Sequence, residues 1–314
     1  MSWILLAAAL VLPWVWNGAL FWGTNFSIWG LLALSWNLLY GYTGLLSLGL
    51  GVYFALGAYG AAFAVMHAHA DFGTALIAGI ALALLVALLL GWGSVRLSGY
   101  GFVVGTLVTA LIFYLLALGT DHLTGGEDGL SFRAPPLSLV GVEFPVSDLS
   151  VRYYLGLAAL VVGWSVVRSV ISSPLGLALR VVRENEQRAA FLGYDVLRLK
   201  WVSFAMAGAL AGFAGAVWAL SKEYVRAGLF QPFGAFVSAQ PEPDPLIAVL
   251  LGGAGTLWGP LWGTAILLAL RETVVGLWPQ GYALTMGIVI LAIVRYRSQG
   301  LISLFKRSSS PSAI

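Results

Sequence analysis

The chain opens MSWILLAAALVLPWVWNGALFWGTNFSIWGLLALSWNLLYGYTG (residues 1–44), and no Asp, Glu, Lys or Arg occurs before Asp71. An uncharged run of that length is incompatible with a solvated surface. Working outward, the 314 residues are 60% hydrophobic and only 9% charged, where soluble domains carry about 25% charged residues. Thirteen Trp, 12 Tyr, 39 Gly and 12 Pro fit the same class, because aromatics collect at membrane interfaces and Gly and Pro are enriched in membrane helices. The N-terminus lacks the basic leader and polar sequel of a cleavable signal and reads as a first span. The small net charge of +3 reflects anchoring loops and excludes a nucleic-acid surface. With no cysteine, disulfides, thiolate metal sites and cysteine nucleophiles are excluded.

The fold expected is all-α, a polytopic transmembrane helical bundle containing discontinuous helices. A crossing takes about 20 residues, so charge-free intervals place spans at 3–22, 26–40, 46–66, 74–95, 101–119, 149–170 and 201–220. A complicated stretch at 246–270 and a span at 280–295 follow. The Gly41-Tyr42-Thr43-Gly44 turn suggests that the second and third spans form one broken unit. The uncharged blocks are too continuous for a porin-like barrel, whose strands alternate over about ten residues.

Basic residues mark the cytoplasmic side. Arg168, Arg180, Arg183, Arg188, Arg198 and Lys200 cluster between spans, and Arg295, Arg297, Lys306 and Arg307 lie near the end. The 120–148 loop carries Asp121, Glu127, Asp128, Glu143 and Asp148 against Arg133, and reads as external. Counting back puts Arg96, the 41–44 turn and the N-terminus inside and the His67–Asp71 turn outside. A single crossing at 246–270 would leave the basic tail outside. The interruptions Gly252-Gly253-Ala254-Gly255-Thr256 and Gly259-Pro260 instead suggest two half-depth segments that enter and leave on the outer side, since non-helical backbone is tolerated where protein buries it.

In the cytoplasmic loop, Ser173 is the expected cap and Pro174 the first helical residue. Leu175, Ala178, Leu179 and Val182 form an apolar stripe, with Arg180, Arg183, Glu184 and Gln187 off it. Gly193 is placed to end this helix in a left-handed conformation, and Asp195 to cap the next. Either a partner's groove or the lipid interface could cover the stripe.

No P-loop is present, for none of Lys200, Lys222 and Lys306 follows the required glycine pattern. His67 and His69 lack a clear third metal ligand and read as solvated turn residues, so no metal site is assigned. No predicted span holds a central ionisable residue, which argues against a proton relay and for a net-neutral cargo. Gly255, Gly259 and Gly263 recur every fourth residue, as do Gly208 and Gly212. This spacing suits close helix packing, and glycine also suits irregular backbone near a substrate path. Asn37, Gly41, Thr43, Gly44 and Ser47, with Gly252, Gly253, Gly255, Thr256 and Gly259, are the candidate path residues.

Four blocks in order resemble the permease family of bacterial ABC importers for branched-chain amino acids, of the LivM type. They are Ser35–Gly49 leading to Gly57-Ala58-Tyr59; Ser98–Phe102 through Thr106-Leu107 with Thr124–Leu130; Ser173–Gly176, Arg180, Arg183–Glu186, Ala190, Gly193 and Lys200 into Ala205–Gly215; and Leu251–Pro260. The sequence departs from the family pattern where Gly101 separates Tyr100 from the next aromatic, and in the proline-rich Pro241–Pro245. The resemblance implies a multi-pass permease of the bacterial inner membrane that is not itself an enzyme. Its permease domain would cover 1–300, with a cytoplasmic coupling-helix loop at 171–200, an external loop at 120–148 and a cytoplasmic tail at 301–314. Expected partners are a second, LivH-like permease, two cytoplasmic ABC ATPases that bind ATP and Mg, an external binding protein and the lipid bilayer, with no nucleic acid. This chain itself would bind no cofactor. The resemblance also assigns Pro174, Leu175, Gly176, Leu179, Arg180, Val182, Arg183, Glu184, Asn185 and Gly193 to ATPase docking. Urea and short-chain amide importers belong to the same wider family, and a non-transporting scaffold that docks a soluble partner is a further alternative.

Overall fold

The computed structural model describes residues 18–139, 142–231 and 244–277, with a few positions between 281 and 291. Most of the first predicted span, residues 232–243, most of the 280–295 span and the 301–314 tail lie outside the described residues.

The described helices are α1 (Ala19–Trp36), which continues into a π-helical segment (Asn37–Tyr42), then α2 (Gly51–Ala68), α3 (Phe72–Ser94) and α4 (Tyr100–Gly119). They continue with α5 (Leu149–Ser172), the loop helices α6 (Pro174–Glu184) and α7 (Glu186–Phe191), α8 (Val196–Lys222), α9 (Pro245–Gly252) and α10 (Gly259–Leu277). Five of them, α2, α3, α4, α5 and α8, are long and apolar enough to cross a membrane.

The second predicted span was expected to begin at 26, yet α1 starts at Ala19. The interval between the first two predicted spans holds Thr24 and Asn25, polar residues inside the helix. The Thr24 hydroxyl donates to the Leu20 carbonyl (2.7 Å) and the Asn25 amide to that of Phe21 (3.1 Å). Bonding four residues back satisfies each polar group without leaving the helix. The third span starts later than expected, because residues 43–50 form an irregular connection after the π-helical segment. That segment and connection make the broken unit expected around Gly41–Gly44.

At the centre, α8 packs against α2 and α3. A Cβ at Gly215 would strike the Phe54 carbonyl, and one at Gly57 the backbone of Gly212. The small-residue spacing is therefore a packing seam, which lets backbones approach without intervening side chains. Outside it, α3 and α4 present Ile77, Leu85, Leu89, Ile112 and Leu115 outward.

The two ends of the bundle are joined differently. At the end carrying the acidic loop, Lys222 donates to Asn25 (3.3 Å), and Glu223 pairs with Arg152 (3.4 Å) and accepts from the Ala134 amide (3.0 Å). Strand β1 (Leu130–Ser131) pairs with β4 (Tyr224–Val225), while β2 (Leu137–Leu139) and β3 (Val142–Phe144) make a small hairpin. The opposite end gathers the π-helical segment, the loop helices and the break between α9 and α10.

That break corrects one expectation. The α9–α10 hairpin is antiparallel, with Gly252 against Gly259 and Ala248 against Gly263, but its arms are unequal. Eight residues of α9 rise about 12 Å, whereas the 19 of α10 rise about 28 Å, close to the full hydrocarbon thickness. Only α9 is a half-depth segment, because the break sits close to the basic loop rather than at mid-depth.

Candidate functional site

The site is built where the two discontinuities meet. Asn37 opens the π-helical segment and is fully buried. Its Oδ1 accepts from the Gly255 amide (2.9 Å) and its Nδ2 donates to the Thr256 carbonyl (2.9 Å). One primary amide thus satisfies a donor and an acceptor left open by the break, which would otherwise be costly to bury. Thr256 organises the same turn from within: its hydroxyl donates to the Gly253 carbonyl (2.9 Å) and accepts from the Gly259 amide (3.0 Å). Gly253 and Gly255 adopt φ of 112° and 80°, values that disfavour any side chain. Gly41 faces Gly255 so closely that a Cβ on Gly41 would meet the Gly255 amide nitrogen.

Upstream, Asp244 caps α9, its Oδ1 accepting from the Leu246 (2.9 Å) and Ile247 (3.3 Å) amides. Trp258 lies against Trp164 of α5, ring centroids 5.6 Å apart, and the Arg168 guanidinium sits 5.1 Å from the Trp164 ring centre.

Of the path residues expected from sequence, the structure brings together Asn37, Gly41, Gly252, Gly253, Gly255, Thr256 and Gly259. Thr43 and Ser47 face elsewhere. The Thr43 hydroxyl is 2.6 Å from that of Ser203 in α8, and the Ser47 carbonyl accepts from the Trp36 indole (3.0 Å). Gly44, at φ 81°, lies against the stem of Arg183.

The basic loop differs from expectation in what covers its stripe. Ala178, Leu179 and Val182 are buried in the chain's own bundle, and Leu175 packs against the same core. The three buried residues are therefore covered by the chain itself, and Gly176 is pressed against the backbone of Val170 and Ile171 where the chain turns back. Ser173 stands at the cap position before Pro174, but its hydroxyl donates backward to the Val170 carbonyl (2.7 Å). Asn185 divides the loop into two helices by accepting from the Arg188 amide (2.9 Å). Gly193 is left-handed at φ 88°, and Asp195 caps α8 through the Arg198 amide (3.0 Å).

Two charged residues tie this loop to the bundle. Lys200, buried within α8, pairs with Glu186 of α7. Arg183 donates to the Gly41 carbonyl. Outward, the loop exposes Leu177 (60%), Phe191 (92%) and Leu192 (71%), three apolar side chains that lie off the stripe and were not expected to matter. Their sequence signal was present: Phe191-Leu192 directly precedes Gly193, outside the helical apolar register.

A bundle of crossing helices, with a structured basic loop bonded to a break in two of them, has the form of a multi-pass permease subunit. Comparison with known proteins agrees. The family described as "Branched-chain amino acid transport system / permease component" matches residues 18–294, and the chain belongs to it. The high-affinity branched-chain amino acid transport system permease protein LivM of Escherichia coli (strain K12) is 29% identical over 327 residues, covering 95% of this chain and 74% of that protein. The same figures hold for the LivM protein of Salmonella typhimurium. A probable branched-chain amino acid transport permease protein LivM of Methanocaldococcus jannaschii is 26% identical over 146 residues, 42% of this chain and 41% of that protein. No solved structure matches. The chain is thus a non-catalytic permease subunit of an ABC-type importer in the inner membrane, with ATP hydrolysis on separate subunits. Membership implies a complex of paired permeases, ATPases and a binding protein.

Proposed function

We propose that this chain, paired with a second related permease, carries branched-chain and other net-neutral aliphatic amino acids inward, driven by two cytoplasmic ATPases and supplied by an external binding protein. The match of residues 18–294 to a branched-chain amino acid permease family carries the reading. The composition of the spans supports it: no predicted span holds a central ionisable residue, and a strongly charged cargo would need a counter-charge in a low-dielectric path. The path runs beside the Asn37–Gly255 contact, and 173–193 is the ATPase-docking loop. In this assignment Leu177, Phe191 and Leu192 meet the ATPase, while Leu179 and Val182 hold the loop to the bundle.

Uptake of labelled leucine, isoleucine, valine and urea by a deletion strain expressing the complete complex tests the cargo. ATP-dependent accumulation of leucine is expected. Accumulation of urea without leucine would overturn the substrate while leaving the importer class intact.

A further inference from the structure

We infer that Arg183 is the positioning residue through which movement of the docking loop reaches the break in the membrane, so that the α9–α10 turn shifts with the nucleotide state of the ATPase. The inference rests on the reading of 173–193 as the docking loop.

Three observations converge on this side chain. Its stem lies on Gly44, with Cγ 3.1 Å from where a glycine Cβ would stand. Its Nη1 donates to the carbonyl of Gly41, in the π-helical segment. A Cβ built on Gly255 would meet that same Nη1 and the Gly41 carbonyl oxygen, so the guanidinium, the π-helical segment and the break form one contact.

The geometry suits transmission. Arg183 lies on α6, whose Ala178, Leu179 and Val182 are buried against the chain's own bundle, so the helix has a fixed seat from which the Arg183 side chain reaches across. Asn37 then joins the π-helical segment to the break by two hydrogen bonds of 2.9 Å each. A displacement of α6 therefore reaches Gly255 both directly and through Gly41 and Asn37. A guanidinium on a carbonyl is a charge-assisted hydrogen bond, stronger than a neutral one. The neighbouring Arg180 also touches the π-helical segment, lying over the Tyr42 ring, but its guanidinium donates to the Ile171 carbonyl (3.1 Å), whereas that of Arg183 meets Gly41 and Gly255.

The test uses the whole complex in proteoliposomes, with Leu257→Cys in the break as a reporter in this cysteine-free chain. Maleimide labelling of this subunit is compared without nucleotide and with ATP plus vanadate. The parent should show a nucleotide-dependent change in labelling rate of at least about fivefold, the low end of an ordinary coupling between sites. Arg183→Ala should reduce the change to below about twofold with the ATPases still co-purifying, and Arg183→Lys should restore part of it. If the alanine variant fails to assemble, Arg183→Gln, which keeps the stem on Gly44, replaces it with the same expectation. An undiminished change in the alanine or glutamine variant, or no change in the parent, would overturn the proposal. Leucine uptake in the same vesicles separates the two ideas: intact nucleotide-dependent labelling without leucine movement refutes the cargo and leaves the role of Arg183 standing.

Discussion

Helices α8 and α4 are both apolar enough to cross a membrane, with mean hydropathies of 1.6 and 2.3, yet 78% of the first is buried and only 22% of the second. The less hydrophobic helix is the central one. In water that order would be surprising, but in lipid apolar area gives no preference for the interior, and close packing and polar pairing decide instead. Helix α8 carries Gly208, Gly212 and Gly215 along the face that meets α2 and α3, and a buried lysine near its N-terminal end. Helix α4 carries branched and bulky residues that face outward.

Substitutions should separate the two helices by the size of their effects. Gly215→Val in α8 is expected to be the most damaging, because its Cβ would overlap the Phe54 carbonyl and lie close to the Ala58 amide. Overpacking of this kind costs about 1–3 kcal/mol or more, and a matching fall in thermal stability of the purified subunit should follow. At the Lys200–Glu186 pair the effect should be smaller and unequal. Glu186→Gln leaves a buried lysine without its charge partner, at a cost of about 1–2 kcal/mol once the exposure of Glu186 is allowed for, whereas Lys200→Met frees only a half-exposed carboxylate. Denaturation of the two variants side by side should rank glutamine below methionine; the reverse order would overturn the view that the unpaired buried lysine is the costlier group. Smallest of all should be Leu115→Ala on α4, where 63% of the residue is exposed, with a change of about 0.5 kcal/mol or less. A large loss there would reveal that another protein, rather than lipid, covers that face.

Much of this was legible in the residues. Segregated charge separated the acidic loop from the basic one, and the glycines at 252–259 announced the break, because both signals are local. The start of α1 was hidden because Thr24 and Asn25 have side chains that can either stop a helix or bond back into it, and composition does not distinguish these. The stripe of Leu175, Leu179 and Val182 was visible as a stripe, but periodicity tells which face is apolar and not what covers it. The reach of Arg183 to Gly41, across 142 positions of sequence, had no local signature at all. An arginine in a basic cytoplasmic loop looks like an anchor until the carbonyl it holds is seen.

The shortness of α9 bears on how the chain is made. Eight residues are too few to be recognised as a crossing during insertion, and their open backbone ends would be stranded among acyl chains. Asp244 caps the first amides of α9, α1 supplies the face it packs on and Asn37 holds the break that follows it, the last two synthesised more than two hundred positions earlier. α10 follows directly, and its glycines receive α9 from the other side. The segment settles against a face of α1 made long before and is closed in by the helix made just after it, so its burial depends on both the earliest described helix and the one that follows.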